Sequence, residues 1–206
     1  SEKTAVVRNC QNYNEIRYLA QTHPEKFDQS RFNILTVARF GKEKGILRAI
    51  EAVLGACDDF DDINYYIIGD GAQSRQAEML VSDGKFSDSV TLLGKKENPY
   101  GYMAAADILL VPSFSEAAPV VINESACLGT PILSTETSSA FEMVRDTGFG
   151  WVCDNSEDGI REELKRLAAS RYEVNYKRKL LSTRRFNNAE AVKQFSELIN
   201  CNDKTA

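Results

Sequence analysis

The chain has 206 residues, 43% of them hydrophobic, and a net charge of −5. That length and apolar content suit one domain built on a single core, and the acidic balance argues against general nucleic-acid binding. No apolar run reaches the ~18 residues of a membrane span, and no basic-then-apolar leader opens the sequence, so neither a transmembrane helix nor a signal peptide is expected.

A short strand at residues 4–8 and a helix at 12–21, with Asn12 as its N-cap, come first. A polar stretch over residues 22–31 holds Pro24 and the only histidine, His23. Strands and helices then alternate. The strands fall at about 33–38, 64–69, 89–94, 108–112, 131–134 and 150–153. They are short continuous apolar runs, such as Ile108 to Val111, of the kind that parallel strands covered on both faces show. Helices fall at about 46–57, 73–82, 98–106, 119–128 and 139–145. This order predicts an α/β, Rossmann-like parallel sheet of about six strands, with helices on both faces and right-handed crossovers.

From about residue 156 only helices follow, at 156–169, 172–183 and 188–200. Residues 1–31 read as a linker with the remnant of a preceding domain, and residues 32–206 as one domain that includes this helical tail. Lys177, Arg178, Lys179, Arg184 and Arg185 read as a solvated basic face. An anionic lipid or a missing domain is the alternative they could face. Five cysteines (Cys10, Cys57, Cys127, Cys153, Cys201) follow no regular spacing, and read as reduced, mostly buried thiols of a cytoplasmic protein.

Two strand-to-helix loops carry the candidate chemistry. Arg39 and Lys44 lie after the strand at 33–38, at the edge of a parallel sheet where ligands bind. A planar guanidinium and a mobile ammonium there suit a diphosphate; the plain alternative is a basic surface loop, the reading that fits Lys42. The second loop runs from Val111 into a helix expected to start at Pro119 and stop at Gly129. Glu116 precedes that helix and Glu124 sits in its early turns. A helix N-terminus attracts phosphate, so carboxylates nearby suit sugar hydroxyls instead. Spacing alone does not separate a site from two solvated carboxylates, since Glu43 and Glu51 stand equally far apart.

Other motifs carry less. Asp59 and Asp61 form an Asp-x-Asp pair able to hold a divalent metal, but at the amino end of a strand, away from the ligand edge. Gly69-Asp70-Gly71 lacks the third glycine of a dinucleotide fingerprint. No zinc set can be assembled around His23, and no Gly-x-Ser-x-Gly elbow occurs.

Taken together, Arg39, Lys44-Gly45 and the Glu116/Glu124 pair resemble the C-terminal, donor-binding domain of the glycosyltransferase family 4 group, retaining enzymes with the GT-B fold. Gly69-Asp70-Gly71, Leu93-Gly94, Ala106-Asp107, Pro112-Ser113, Gly129-Thr130-Pro131 and Glu142 extend the likeness over about residues 32–153. The chain departs from the pattern at Ala117-Ala118-Pro119, where Gly-Phe-Gly is common, at Ser125 for Ala, and at Ser138-Ser139 for a Gly pair.

The resemblance implies one half of a GT-B fold that binds a nucleoside diphosphate sugar without a metal or other cofactor. Arg39 and Lys44 would neutralise the diphosphate. Glu116 would orient the sugar and Glu124 the ribose. Val120 and Val121 would add backbone N–H donors at the helix start, Pro119 would line the same site, and Gly94 and Lys95 would approach the base. A glycan or lipid-linked acceptor would be held by a missing N-terminal domain, at the cytoplasm or the inner face of the membrane, and this chain alone would be inactive. The rivals are a non-catalytic Rossmann-type nucleotide-binding module and an NAD-dependent enzyme.

Overall fold

The computed structural model describes residues 9–82 and 85–202; the strand expected at 4–8 lies outside them. The described elements are α1 (Tyr13–Thr22), β1 (Phe32–Val37), a 3-10 turn (Lys42–Lys44), α2 (Ile46–Ala56), β2 (Ile63–Ile68), α3 (Ser74–Ser82) and β3 (Val90–Gly94). They continue with α4 (Tyr100–Ala105), β4 (Ile108–Val111), α5 (Val120–Cys127), β5 (Ile132–Thr135), β6 (Gly150–Cys153), α6 (Glu157–Ala169), α7 (Arg171–Ser182) and α8 (Ala189–Asn202).

The six strands form one parallel sheet in the order β3-β2-β1-β4-β5-β6. Successive strand residues point to opposite faces, and both faces are covered. Ile34, Tyr65, Ile67, Ile108, Leu110 and Leu133 meet α2, α3 and α6 in one core. Leu35, Ile68, Leu109, Val111 and Ile132 meet α4 and α5 in the other. That double burial is why the strands read as unbroken apolar runs. Each fully buried Ile or Leu contributes about 1.5–3 kcal/mol, so these strands fix a rigid floor for the loops at their carboxyl ends.

β1 and β4 are neighbours, yet the chain leaves them in opposite directions, toward β2 and toward β5. Such a switch point opens a crevice at the carboxyl edge. It lies between the two loops picked out from the sequence.

Three sequence expectations change. Helix α5 begins at Val120, because Pro119 has ψ 117 and is extended, so it caps the helix rather than joining it. The helix expected at 139–145 is one π turn, Phe141–Arg145, closed by a bond from Asp146 N–H to Phe141 O of 2.8 Å. The basic tail is partly spent on structure. Arg178 donates to the carbonyls of Ala104 and Ala106 at the end of α4, and Arg184 donates to Thr147 O at 2.5 Å.

Residues 9–31 pack on the domain. Ile16 and Ala20 of α1 are buried, and α1 lies against α4 and α5. Phe27 stacks on Tyr66 with ring centroids 3.9 Å apart. No described helix is long and apolar enough to cross a membrane.

Candidate functional site

The crevice at the β1/β4 switch point is a cleft of about 340 Å³. Arg39, Lys44, Glu116, Pro119, Val120 and Val121 all line it. Its floor is the carboxyl ends of β1 and β4, pinned by a buried polar chain. There the Tyr65 hydroxyl donates to Thr36 Oγ1 at 2.9 Å, and Thr36 Oγ1 donates to Leu110 O at 2.8 Å.

Arg39 follows β1 and is exposed, and among the described residues its guanidinium holds no hydrogen bond or ion pair. Its loop is braced by the Gly69–Gly71 segment. A Cβ at Gly69 would stand 1.8 Å from Ala38 O, and Phe40 N–H donates to Asp70 O at 2.9 Å. These glycines therefore allow backbone to lie on backbone; they support Arg39 rather than cradling a dinucleotide.

Lys44 Nζ lies 2.5 Å from Glu116 Oε1, and the side chains are only 22% and 11% exposed. Ser113 Oγ donates to the same oxygen at 2.8 Å. Two donors on Oε1 leave Oε2 free among the described residues to accept from a ligand.

The two loops are locked together by a residue that the sequence reading did not single out. Arg48 is 8% exposed and has no carboxylate partner among the described residues. Its Nε and Nη2 donate to Pro112 O at 3.0 and 2.6 Å, and Nη2 also donates to Asn155 Oδ1 at 2.7 Å. The guanidinium carbon lies 3.7 Å from the centre of the Phe114 ring. Asn155 in turn donates to Phe114 O and Glu136 O at 3.0 and 2.7 Å. Burial lowers the Arg48 pKa, but a guanidinium stays protonated in proteins, so a fixed positive charge sits beside the cleft. Its only advance signal was a charge within the buried stripe of α2.

Glu124 is on α5 but outside the cleft lining. It accepts from the Tyr100 hydroxyl of α4 at 3.3 Å. Burial raises its carboxyl pKa, with the Tyr100 bond opposing. Tyr100 is pushed up to about 12, by burial first and then by the Glu124 charge. Gly94 and Lys95 stand at the end of the edge strand β3 and likewise do not line the cleft. Gly94 O accepts from Gly69 N–H at 3.0 Å.

Asp59 lies before β2, on the opposite edge of the sheet, and pairs with Lys165 at 2.6 Å. Among the described residues no three His, Cys, Asp or Glu side chains gather closely enough to hold a metal. A second concavity of about 500 Å³ is lined by Cys10–Asn14 and Phe186–Asn188, none of them charged. A diphosphate needs cations, which only the switch-point cleft of the two supplies.

Comparison with known proteins gives the family and the fold. The model of the family described as glycosyl transferases group 1 matches residues 20–199. Over 149 residues the chain is 32% identical to the amylovoran biosynthesis glycosyltransferase AmsK of Erwinia amylovora, covering 65% of this chain and 37% of that protein. It spans little more than a third of the curated relatives it matches. Sucrose-phosphate synthase of Thermosynechococcus elongatus superposes with TM-score 0.78 at 19% identity, over 100% of this chain and 54% of that one. Anabaena HepE, solved in complex with UDP, superposes with TM-score 0.76 at 17% identity, over 96% and 57%. At such identities the likeness is one of fold: this sheet is one Rossmann-like half of a GT-B architecture. Sequence pattern and fold agree, and the chain belongs to the glycosyl transferases group 1 family.

Proposed function

We propose that this chain is the donor-binding half of a retaining glycosyltransferase. It binds a nucleoside diphosphate sugar in the switch-point cleft, for transfer to a glycan or lipid-linked acceptor held by a domain outside this sequence. The observation that carries the reading is the convergence of Arg39, Lys44 and Glu116 in one cleft beside the start of α5. Arg39, exposed, and Lys44 neutralise the diphosphate, whose negative charge grows as the bond to the sugar breaks. With two cations in place and no carboxylate cluster among the described residues, no metal is required. The N–H groups of Val120 and Val121, at the first turn of α5 where helical partners are lacking, add donors to the phosphates.

Glu116 accepts from sugar hydroxyls through Oε2 and orients the anomeric carbon. Glu124 exchanges its Tyr100 hydroxyl for those of the ribose. Gly94 and Lys95, beyond the cleft, approach the base. The sugar leaves with its anomeric configuration retained. Without the acceptor half this chain does not transfer sugar, and the whole protein works in the cytoplasm or at the inner face of the membrane.

Calorimetric titration with UDP, GDP and ADP, each with and without chelator, tests the reading. One of the three should bind, and equally well in both conditions. Affinity that vanishes with chelator would overturn the metal-free site.

A second reading, a non-catalytic nucleotide-binding module, draws on Ala117-Ala118-Pro119. These residues add methyl groups and remove one N–H where a sugar would approach. Nucleotide binding without transfer by the protein restored with its upstream domain would favour it.

A further inference from the structure

The loop that carries Glu116 belongs to neither β4 nor α5, and Ala117 and Ala118 beside it are exposed. No helix or sheet ladder holds this residue. Hydroxyl groups from the loop after β5, and one from its own loop, do.

Ser138 Oγ donates to the backbone carbonyl of Glu116 at 2.8 Å, and Ser139 Oγ donates to the same oxygen at 3.3 Å. A carbonyl oxygen has two lone pairs, so these two hydroxyls fill it. At the other end of the residue, Ser113 Oγ holds carboxylate Oε1 at 2.8 Å. Ser113 is itself fixed, because Thr135 Oγ1 donates to its carbonyl at 2.6 Å. Ser113 and Ser139 are 2% and 7% exposed, so water competes poorly for them. Main chain and side chain of Glu116 are thus anchored separately, and Oε2 is left without a partner among the described residues.

We propose that Ser138 and Ser139, acting with Ser113, are positioning residues that aim the Glu116 carboxylate at the donor sugar, so that the sugar, and not the nucleotide, is what they help the protein select. The proposal rests on the reading of the cleft as a nucleoside diphosphate sugar site. Glycines at 138 and 139 could not make this clamp, since they carry no hydroxyl. Hydrogen bonds that lock a ligand-contacting side chain are what give a site its geometry. The clamp acts through Glu116, so it should change the increment that the sugar adds to nucleotide affinity. Arg39 makes no contact with Glu116 and holds the diphosphate without it, so the bare diphosphate should lose little affinity even though Lys44 is ion-paired with the Glu116 carboxylate.

The test uses this chain with UDP, GDP and ADP and with UDP-glucose, GDP-mannose and ADP-glucose, and takes the nucleotide that binds. Wild type is compared with the double variant Ser138→Ala/Ser139→Ala and with Ser138→Thr, which keeps a hydroxyl at an exposed position. The double variant should bind the diphosphate within about twofold of wild type while the sugar increment falls roughly five- to tenfold. Ser138→Thr should retain the increment.

A purely structural role would lower the unfolding midpoint and weaken both ligands in proportion; that result overturns the proposal. So does an unchanged increment in the double variant, or a wild type that binds diphosphate and diphosphate sugar equally. A wild type that binds none of the six ligands overturns the underlying reading of the cleft and the proposal with it.

Discussion

Gly45→Ala tests the close approach of the two site loops, and Gly148→Ala is its control. Both glycines have positive φ, 65° and 73°, where an L side chain costs about 1–2 kcal/mol. Their surroundings differ. A Cβ at Gly148 meets no heavy atom within 4 Å, whereas one at Gly45 would stand 2.1 Å from Pro112 O and 2.8 Å from Arg48 Nε. The loop after β4 would have to retreat by nearly an ångström, or Arg48 would have to give up its fork on Pro112. Overpacking of that kind adds about 1–3 kcal/mol. Gly148→Ala should therefore lose about 1–2 kcal/mol, and Gly45→Ala about 2–5. Loss of unfolded-state freedom is the same for both and cancels in the comparison. Urea unfolding of the three proteins reads the difference, and nucleotide titration reads its consequence for the cleft. Equal destabilisation, or a Gly45→Ala protein that binds nucleotide as well as wild type, would show that the loops are not wedged against each other.

Arg39→Ala should weaken diphosphate binding by about 1.5–3 kcal/mol and leave nucleoside binding nearly unchanged; an equal loss for both ligands would make Arg39 structural. Glu124→Gln should weaken ribonucleotides more than their 2′,3′-dideoxy analogues, and equal losses would instead assign Glu124 to the fold. The same variant carries a pH signature. Burial raises the Glu124 pKa above 4.5, so the folded state holds this proton more readily than the unfolded chain, and the stability the group contributes at low pH is lost as pH rises through the window above 4.5. The stability of Glu124→Gln relative to wild type should rise as pH is raised above 4.5; a flat difference would contradict the burial. The protein restored with its upstream domain should convert labelled donor into acceptor-linked product, since holding two reactants together can be worth ~7–11 kcal/mol, and Glu116→Ala in it should lower turnover. Strong acceptor glycosylation by the 206-residue chain alone would refute the half-enzyme proposal.

The six strands were legible because residues such as Ile34 and Leu35, or Leu109 and Leu110, are needed by opposite cores, which leaves no polar alternation. The cleft was legible through Arg39, Lys44 and Glu116, because each follows a strand whose carboxyl end the fold brings to one edge. What escaped depends on contacts between distant residues. Arg48 reads as a helix residue among apolar neighbours; its partners Pro112 and Asn155 are 64 and 107 residues away. Ser138 and Ser139 stood out only as departures from a glycine pair, and nothing local tied them to the carbonyl of Glu116. Arg178 reads as a solvated cation because the carbonyls it caps lie at the end of α4, 72 and 74 residues earlier. Strand order was also hidden, so Gly94 could not be seen to end the edge strand, away from the cleft lining. The start of α5 slipped by one residue because proline suits both the cap and the first turn, and only the ψ of Pro119 decides.

The most direct measurement is an amide-shift map of this chain titrated with UDP, GDP and ADP. Binding at the switch point should move the amides of residues 38–45, 113–118 and 120–121, which flank the cleft, and Arg39→Ala should displace the titration to roughly ten- to a hundredfold higher concentration of the diphosphate that binds. Shifts confined to the concavity at Cys10–Asn14 and Phe186–Asn188, or no shifts with any of the three, would contradict the assignment of this cleft as the nucleotide site.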